Sequence, residues 1–236
     1  MDLKGIELTW LGHGAVRLRL GDGTTVLIDA WLKGNPACPA AEVEQDRVDA
    51  IYVTHGHGDH FSGVPDLARH HEAPVHAIHE ISLWLAANGV STAVGSNKGG
   101  TVPGPGGIEA TMVEAVHSSG IDFASGGVAD GGQAAGWVLA IPGGPTVCHA
   151  GDTTVFGDMA LIGELHRPDI ALLPIGGYYT MGPVGAAKAA RLLGVETVVP
   201  IHYGTFPILA GTPEQLTEEA AGDFEVMACT PGVPVT

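Results

Sequence analysis

Thr54-His55-Gly56-His57-Gly58-Asp59-His60 follows directly on the apolar run Val48-Asp49-Ala50-Ile51-Tyr52-Val53. Three imidazoles and a carboxylate are packed there beside two glycines. Imidazole and carboxylate are the groups that bind borderline divalent cations such as zinc. A strand that ends in a glycine-punctuated turn aims such side chains at one point, because Gly tolerates backbone angles that other residues avoid. The segment reads as a metal site.

Working outward, other apolar runs end the same way. The first 30 residues read as strands at 5–11, 15–20 and 24–30, with a Gly21-Asp22-Gly23 turn as the hairpin signal. The second half echoes them. Strands are expected at 135–141 and 146–150, joined by Pro142-Gly143-Gly144-Pro145 and leading into Gly151-Asp152. Further strands at 169–175 and 196–201 end at Gly176-Gly177 and at His202. Polar groups at the ends of separate strands are where sheet-based sites are built.

Helices are expected at 62–71, 80–88, 157–166 and 183–193, the last with Pro183 at its start and Gly194 after its end. Thr212-Pro213-Glu214-Gln215 is a capping box that opens another helix, closed by Gly222. The Gly/Pro-rich stretches 99–107 and 126–132 read as loops or hairpin turns, too short for linkers. Two similar β-then-α halves predict one domain over residues 1–236, an α+β fold with sheet packed on sheet and helices outside.

Composition narrows the function. The 236 residues carry ten Lys and Arg against 26 Asp and Glu, a formal charge of -16. A polyanion needs a cationic surface, so nucleic acid is a poor partner and a small molecule a better one. Charged residues make up only 15% and mean hydropathy is +0.22, yet no run is long enough for a membrane span. The apolar excess therefore predicts core plus a subunit interface, and hence a homo-oligomer. Cys38, Cys148 and Cys229 are odd in number and widely spaced, and the N-terminus has no basic start followed by an apolar stretch. Both suit a reducing, cytoplasmic setting.

Three more positions extend the ligand set: His117 in Ala115-Val116-His117-Ser118, Asp152 in His149-Ala150-Gly151-Asp152-Thr153, and His202 in Pro200-Ile201-His202-Tyr203. With them the chain resembles the metallo-β-lactamase superfamily, whose signature is His-x-His-x-Asp-His followed by a His, an Asp and a His in that order. Gly12-His13, Thr180-Met181-Gly182-Pro183 and His202-Tyr203-Gly204-Thr205-Phe206-Pro207 are similar to the small prokaryotic metal-dependent hydrolases near the ascorbate phosphate lactonase branch. The resemblance implies a four-layer αββα sandwich and two metal positions. His55, His57 and His117 would hold one ion, Asp59, His60 and His202 the other, with Asp152 bridging. Gly176-Gly177-Tyr178-Tyr179 departs from the pattern by lacking polar residues that relatives often carry there.

His13 and His149 have no slot in that set. Hydrogen bonding to a ligand, or a place in the site wall, is weighed against plain turn packing. His70, His71, His76, His79 and His166 take structural readings. Tyr178, Tyr179 and Tyr203 are donors to a leaving group or oxyanion, or else packing residues with a hydrogen-bonded tip.

The chemistry this predicts is hydrolysis. Paired dications lower the pKa of water from about 15.7 to about 7, so a metal-bound hydroxide is available at neutral pH. Asp59, Asp152, His149 and His13 are the candidate catalytic residues, the two carboxylates orienting the nucleophile. Zinc is the default for imidazole-rich sites, and manganese, iron or nickel fit the same frame. A small phosphorylated or phosphodiester substrate is the first expectation, a lactone or carboxylic ester the second. Of other classes, a redox di-iron protein would place Glu where His57 stands, and a non-catalytic metal binder would carry a broken ligand set.

Overall fold

A computed structural model describes residues 3–122 and 126–236. The first sheet is built from β1 (Glu7–Gly12), β2 (Ala15–Arg19), β3 (Thr25–Ile28), β4 (Ala50–Tyr52), β5 (Val75–Ile78) and β6 (Ala93–Ser96), in that spatial order. The second contains β7 (Thr101–Pro103), β8 (Glu109–Glu114), β11 (Ala135–Ala140), β12 (Thr146–His149), β13 (Ile170–Pro174), β14 (Thr197–Ile201) and β15 (Glu225–Val226), in the order 15-14-13-12-11-8-7. A separate ribbon pairs β9 (Ile121–Asp122) with β10 (Val128–Ala129).

Each sheet is antiparallel on one side and parallel on the other. Pairing changes hand at β3/β4 and again at β12/β13. The carboxyl ends of the parallel strands therefore lie on one edge of each sheet, and that edge carries the site. This is the echo between halves that the strand readings predict.

The sheets face one another across a core that includes Trp10, Leu27, Tyr52, Trp137, Leu139 and Ile201. Trp137 is fully buried, and its Nε1–H donates to the Val53 carbonyl at 2.9 Å. That bond ties the second sheet to the strand that delivers the histidine cluster. On the outer faces lie α1 (Gly58–Phe61), α2 (Val64–His71) and α3 (His79–Ala87) for the first half, and α4 (Met159–His166), α5 (Pro183–Leu193) and α6 (Pro213–Ala220) for the second. The buried face of α5 is Ala186, Ala187, Ala189, Ala190 and Leu193; small side chains let it sit close against the sheet. The Thr212 cap and the reciprocal Gln215 bond are both present on α6. No described helix is long and apolar enough to cross a membrane.

The fold corrects three readings. The helix expected over 62–71 is broken at Gly63, where a Cβ would stand 2.4 Å from the Ala30 carbonyl oxygen, and its first turn reaches back into the histidine cluster. The stretch 99–107 contains an edge strand, and Pro103 is tolerated there because an edge leaves one side of the backbone unpaired. The strands β5, β6 and β15 were not anticipated, and β8 was expected only as an apolar run that delivers His117.

His76 has the structural place expected of it. On β5 opposite Tyr52, it stacks on that ring at 4.9 Å and is buried. Burial pushes the imidazole down to about 4. The folded chain thus resists a proton that the unfolded chain accepts near its ordinary value. The stabilisation is complete above about pH 6.5 and lost as pH falls towards 4, amounting to about 3 kcal/mol. Denaturant melts of wild type and His76→Phe between pH 7 and 4.5 should show the flatter profile in the variant.

Candidate metal centre

Every donor proposed from the sequence lies at or just beyond the carboxyl end of a strand. His55, His57, Asp59 and His60 follow β4, His117 follows β8, Asp152 follows β12, and His202 follows β14. Asp59 and His60 ride on α1, whose first amide bonds run from His60 and Phe61 to the His57 carbonyl.

The side chains converge in two groups. In the first, His55 Nε2 and His57 Nδ1 are 3.1 Å apart, while His117 Nε2 and His55 Nε2 lie 3.6 and 3.9 Å from Asp152 Oδ2. In the second, His202 Nε2 is 3.0 Å from Asp152 Oδ2 and 3.9 Å from Asp59 Oδ2, and His60 Nε2 is 3.3 Å from Asp152 Oδ1. Donors sharing a tetrahedral zinc at its usual bond lengths lie about 3.3 Å apart. Asp152 faces both groups.

A cation also resolves what the protein leaves unpaired. His60 Nε2, Asp152 Oδ1 and both ring nitrogens of His202 are buried without a hydrogen-bond partner. With its Nδ1–H given to Asp29, neutral His60 turns a bare lone pair towards an oxygen that is itself an acceptor. Such a pairing is costly unless a cation stands between the two atoms. The donor set therefore fits divalent ions. Protons would take their place in the metal-free chain: although burial disfavours charge, Asp152 and Asp29 hold the His60 imidazole well above its ordinary range. Asp152 stays ionised against its burial because His60 and His202 face it.

An outer layer orients the donors, and its central member, Asp29, was not anticipated. Fully buried just past β3, Asp29 accepts from the Thr54 amide at 2.8 Å, the Thr54 hydroxyl at 2.6 Å and His60 Nδ1 at 2.8 Å. Thr54 Oγ1 in turn accepts from His55 Nδ1 at 2.9 Å. One carboxylate thereby sets the tautomer of a histidine in each group. Ser118 Oγ lies 3.2 Å from His57 Nε2 and leaves Nδ1 for a metal.

His13 is fully buried. Its Nε2 lies 3.0 Å from Asp59 Oδ2, its Nδ1 is 3.0 Å from Thr205 Oγ1, and its ring packs 3.9 Å from that of His202. Burial lowers its pKa to about 4, so a neutral ring donates to Asp59 and accepts from Thr205. His149 is placed differently. Its Nε2 donates to the Gly14 carbonyl at 2.9 Å and its Nδ1 accepts from the Gly151 amide at 3.1 Å, which makes it a staple between sheets outside the donor groups. Tyr203 stacks on Trp10 at 5.1 Å, with its phenol pushed up to about 12 by burial, whereas Tyr178 and Tyr179 are exposed.

The glycines act through space instead of through unusual backbone angles. Neither Gly56 nor Gly58 has a positive φ; left-handed backbone occurs instead at His13, Asp29 and His202. A Cβ on Gly56 would stand 2.8 Å from Ile121 Cγ1. On Gly14 it would stand 2.5 Å from His60 Cε1. Gly14→Ala should therefore push His60 off its position and lower metal content towards one ion per chain, read by elemental analysis, with about 2 kcal/mol lost from stability.

The profile of the Beta-lactamase superfamily domain matches residues 24–203, the span that holds all seven donors with their strands and ends one residue past His202. The chain belongs to the beta-lactamase superfamily. Within it, the chain is 48% identical over 216 residues to a UPF0173 metal-dependent hydrolase of Koribacter versatilis, covering 92% of each. It superposes on Igni18, a metallo hydrolase of the archaeon Ignicoccus hospitalis, with a TM-score of 0.85 and 35% identity over 98% of this chain and 97% of that one. The superfamily fold also appears in CmlA, a diiron β-hydroxylase of Streptomyces venezuelae (TM-score 0.73, 16% identity, 97% of this chain and 54% of that one), where the likeness is one of fold alone.

Proposed function

We propose that this metal-dependent hydrolase of the beta-lactamase superfamily binds two divalent ions, zinc by the nature of its donors with manganese, iron or nickel fitting the same frame, and cleaves a phosphoester bond in a small substrate. The observation that carries the reading is Asp152, whose carboxylate faces both donor groups, with the buried His60 Nε2 and His202 Nε2 left without hydrogen-bond partners beside it.

Two bound dications would acidify a water and polarise the bond under attack. The chain's own groups do the rest. Asp59 is partly exposed, so it reaches the open side of the site. The His13 bond to Oδ2 and the nearby His60 keep Asp59 ionised although burial opposes it, leaving Oδ1 to accept a proton from the attacking group. Asp29 and Thr54 hold His60 and His55 against rotation.

Charge supports a small phosphoester. Six of the ten cationic side chains are already paired with carboxylates away from the donors, among them Arg47 with Asp49, Arg69 with Asp66 and Arg191 with Asp223. An anionic group arriving at the donors would thus be met chiefly by metal charge. Asp59→Ala and His57→Ala should abolish metal-dependent turnover with the fold retained. Metal-reconstituted protein tested on phosphodiester and lactone panels decides the bond; lactone turnover with phosphodiester silence would reverse the assignment.

The same reading includes a homo-oligomer and a reducing, cytoplasmic setting. Exposed Leu161 and Leu165, one turn apart on α4, support the first, and the free thiols of Cys38, Cys148 and Cys229 support the second. A monomer by light scattering would remove the oligomer.

A further inference from the structure

Four loops at this edge, three with a donor and one with Asp29, share a second property. Each sets an apolar side chain near its polar one: Trp31 after Asp29, Val116 before His117, Phe156 after Asp152, and Phe206 after His202. The loop after β13, which carries no donor, adds Tyr178. Tyr178 is 73% exposed, Val116 48% and Phe206 40%. Exposed apolar groups gathered around a polar centre mark a surface that something covers.

The geometry is specific at one side. Trp31 and Phe206 stack with centroids 6.3 Å apart and planes 23° apart, and each meets the His13 ring edge-on, at 5.4 and 5.9 Å. His13 bonds Asp59, so this pair stands beside the second donor group. Gly176 lies so close to the His202 carbonyl that a Cβ would be 2.2 Å from it, which brings the Tyr178 loop alongside the same group. Tyr178 itself has φ +61, a backbone region that a bulky residue avoids, and it holds its ring out to solvent. Lys33, in the Trp31 loop, lines a groove of about 400 Å³ against α2 together with Glu44 and Asp66.

We infer that the retained arm of the substrate is an aromatic ring seated against Trp31, Phe206 and Tyr178, so that aryl phosphodiesters are the preferred class. This rests on the phosphoester reading above. Aromatic faces favour a flat apolar partner by burial and by offset stacking. A short alkyl arm would gain little from them.

Bis(4-nitrophenyl) phosphate and methyl 4-nitrophenyl phosphate release the same 4-nitrophenolate and differ only in the arm that stays. With the metal-loaded chain, KM for the diaryl ester should be about tenfold lower. Phe206→Ala should erase that preference and Phe206→Tyr should keep it. Calorimetry with phenylphosphonate and methylphosphonate should give the same ratio without turnover. Equal KM values with equal binding overturn the inference, as does a preference that survives both Phe206→Ala and Trp31→Ala. If neither diester is cleaved, the phosphoester reading fails, and the phosphonate ratio still decides for or against the ring. A Phe206→Ala chain that changes oligomeric state on light scattering while the arm preference stays intact assigns the rim to a second copy and overturns the inference.

Discussion

Asp152→Ala should lower turnover by roughly a thousandfold or more, because it removes a carboxylate that faces both donor groups. Metal content should fall to one ion per chain or less by elemental analysis, and excess metal should not restore it. Circular dichroism should remain that of the wild type, since the backbone at Asp152 is ordinary and its neighbours in β12 and β13 are paired without it. In the metal-free chain His60 loses the first of the carboxylates that hold its proton, so its imidazole should become easier to deprotonate. Wild-type metal content in this variant would remove the two-ion reading altogether.

Asp29→Ala should act in a different way. It strips three hydrogen bonds from a fully buried carboxylate and leaves the Thr54 amide, the Thr54 hydroxyl and His60 Nδ1 searching for partners. A loss of about 3–5 kcal/mol in stability follows. Metal affinity should fall about 10–100-fold, because the histidines of both groups lose their fixed tautomers. Since Asp29 itself takes no metal in this reading, excess metal should restore the stoichiometry, in contrast to Asp152→Ala. Asp29→Asn separates the two effects. An amide still accepts from the Thr54 amide and still tolerates the left-handed backbone found at this position, so stability should largely return. It presents an NH2 group where His60 needs an acceptor, so affinity should not.

These two residues also show what is legible in a sequence of this kind. Asp152 stands out because its run of apolar residues, its glycine and its order after His117 all point the same way. Asp29 has no such frame. A lone carboxylate after Val26-Leu27-Ile28 looks like any strand ending in a turn, and its value comes from partners 25 and 31 residues further on. The strands whose bounds were not placed have a local cause as well. In β8 the residues from Ala110 to Val113 are all buried, so no alternation appears, while Ala93-Val94-Gly95-Ser96 is short and poor in large apolar groups. The helices α5 and α6 were legible to within a residue or two because proline, glycine and the capping box mark their ends. The stacked pair of Trp31 and Phe206 joins opposite ends of the chain, and no spacing rule connects them.

The donors come from both sheets: β4 belongs to the first, and β8, β12 and β14 to the second. Filling the centre therefore fastens one half of the molecule to the other along a single rim, much as a rivet joins two plates. Ion capture would add to the docking that the shared apolar core already supplies, so removing metal should cost activity and loosen that seam together.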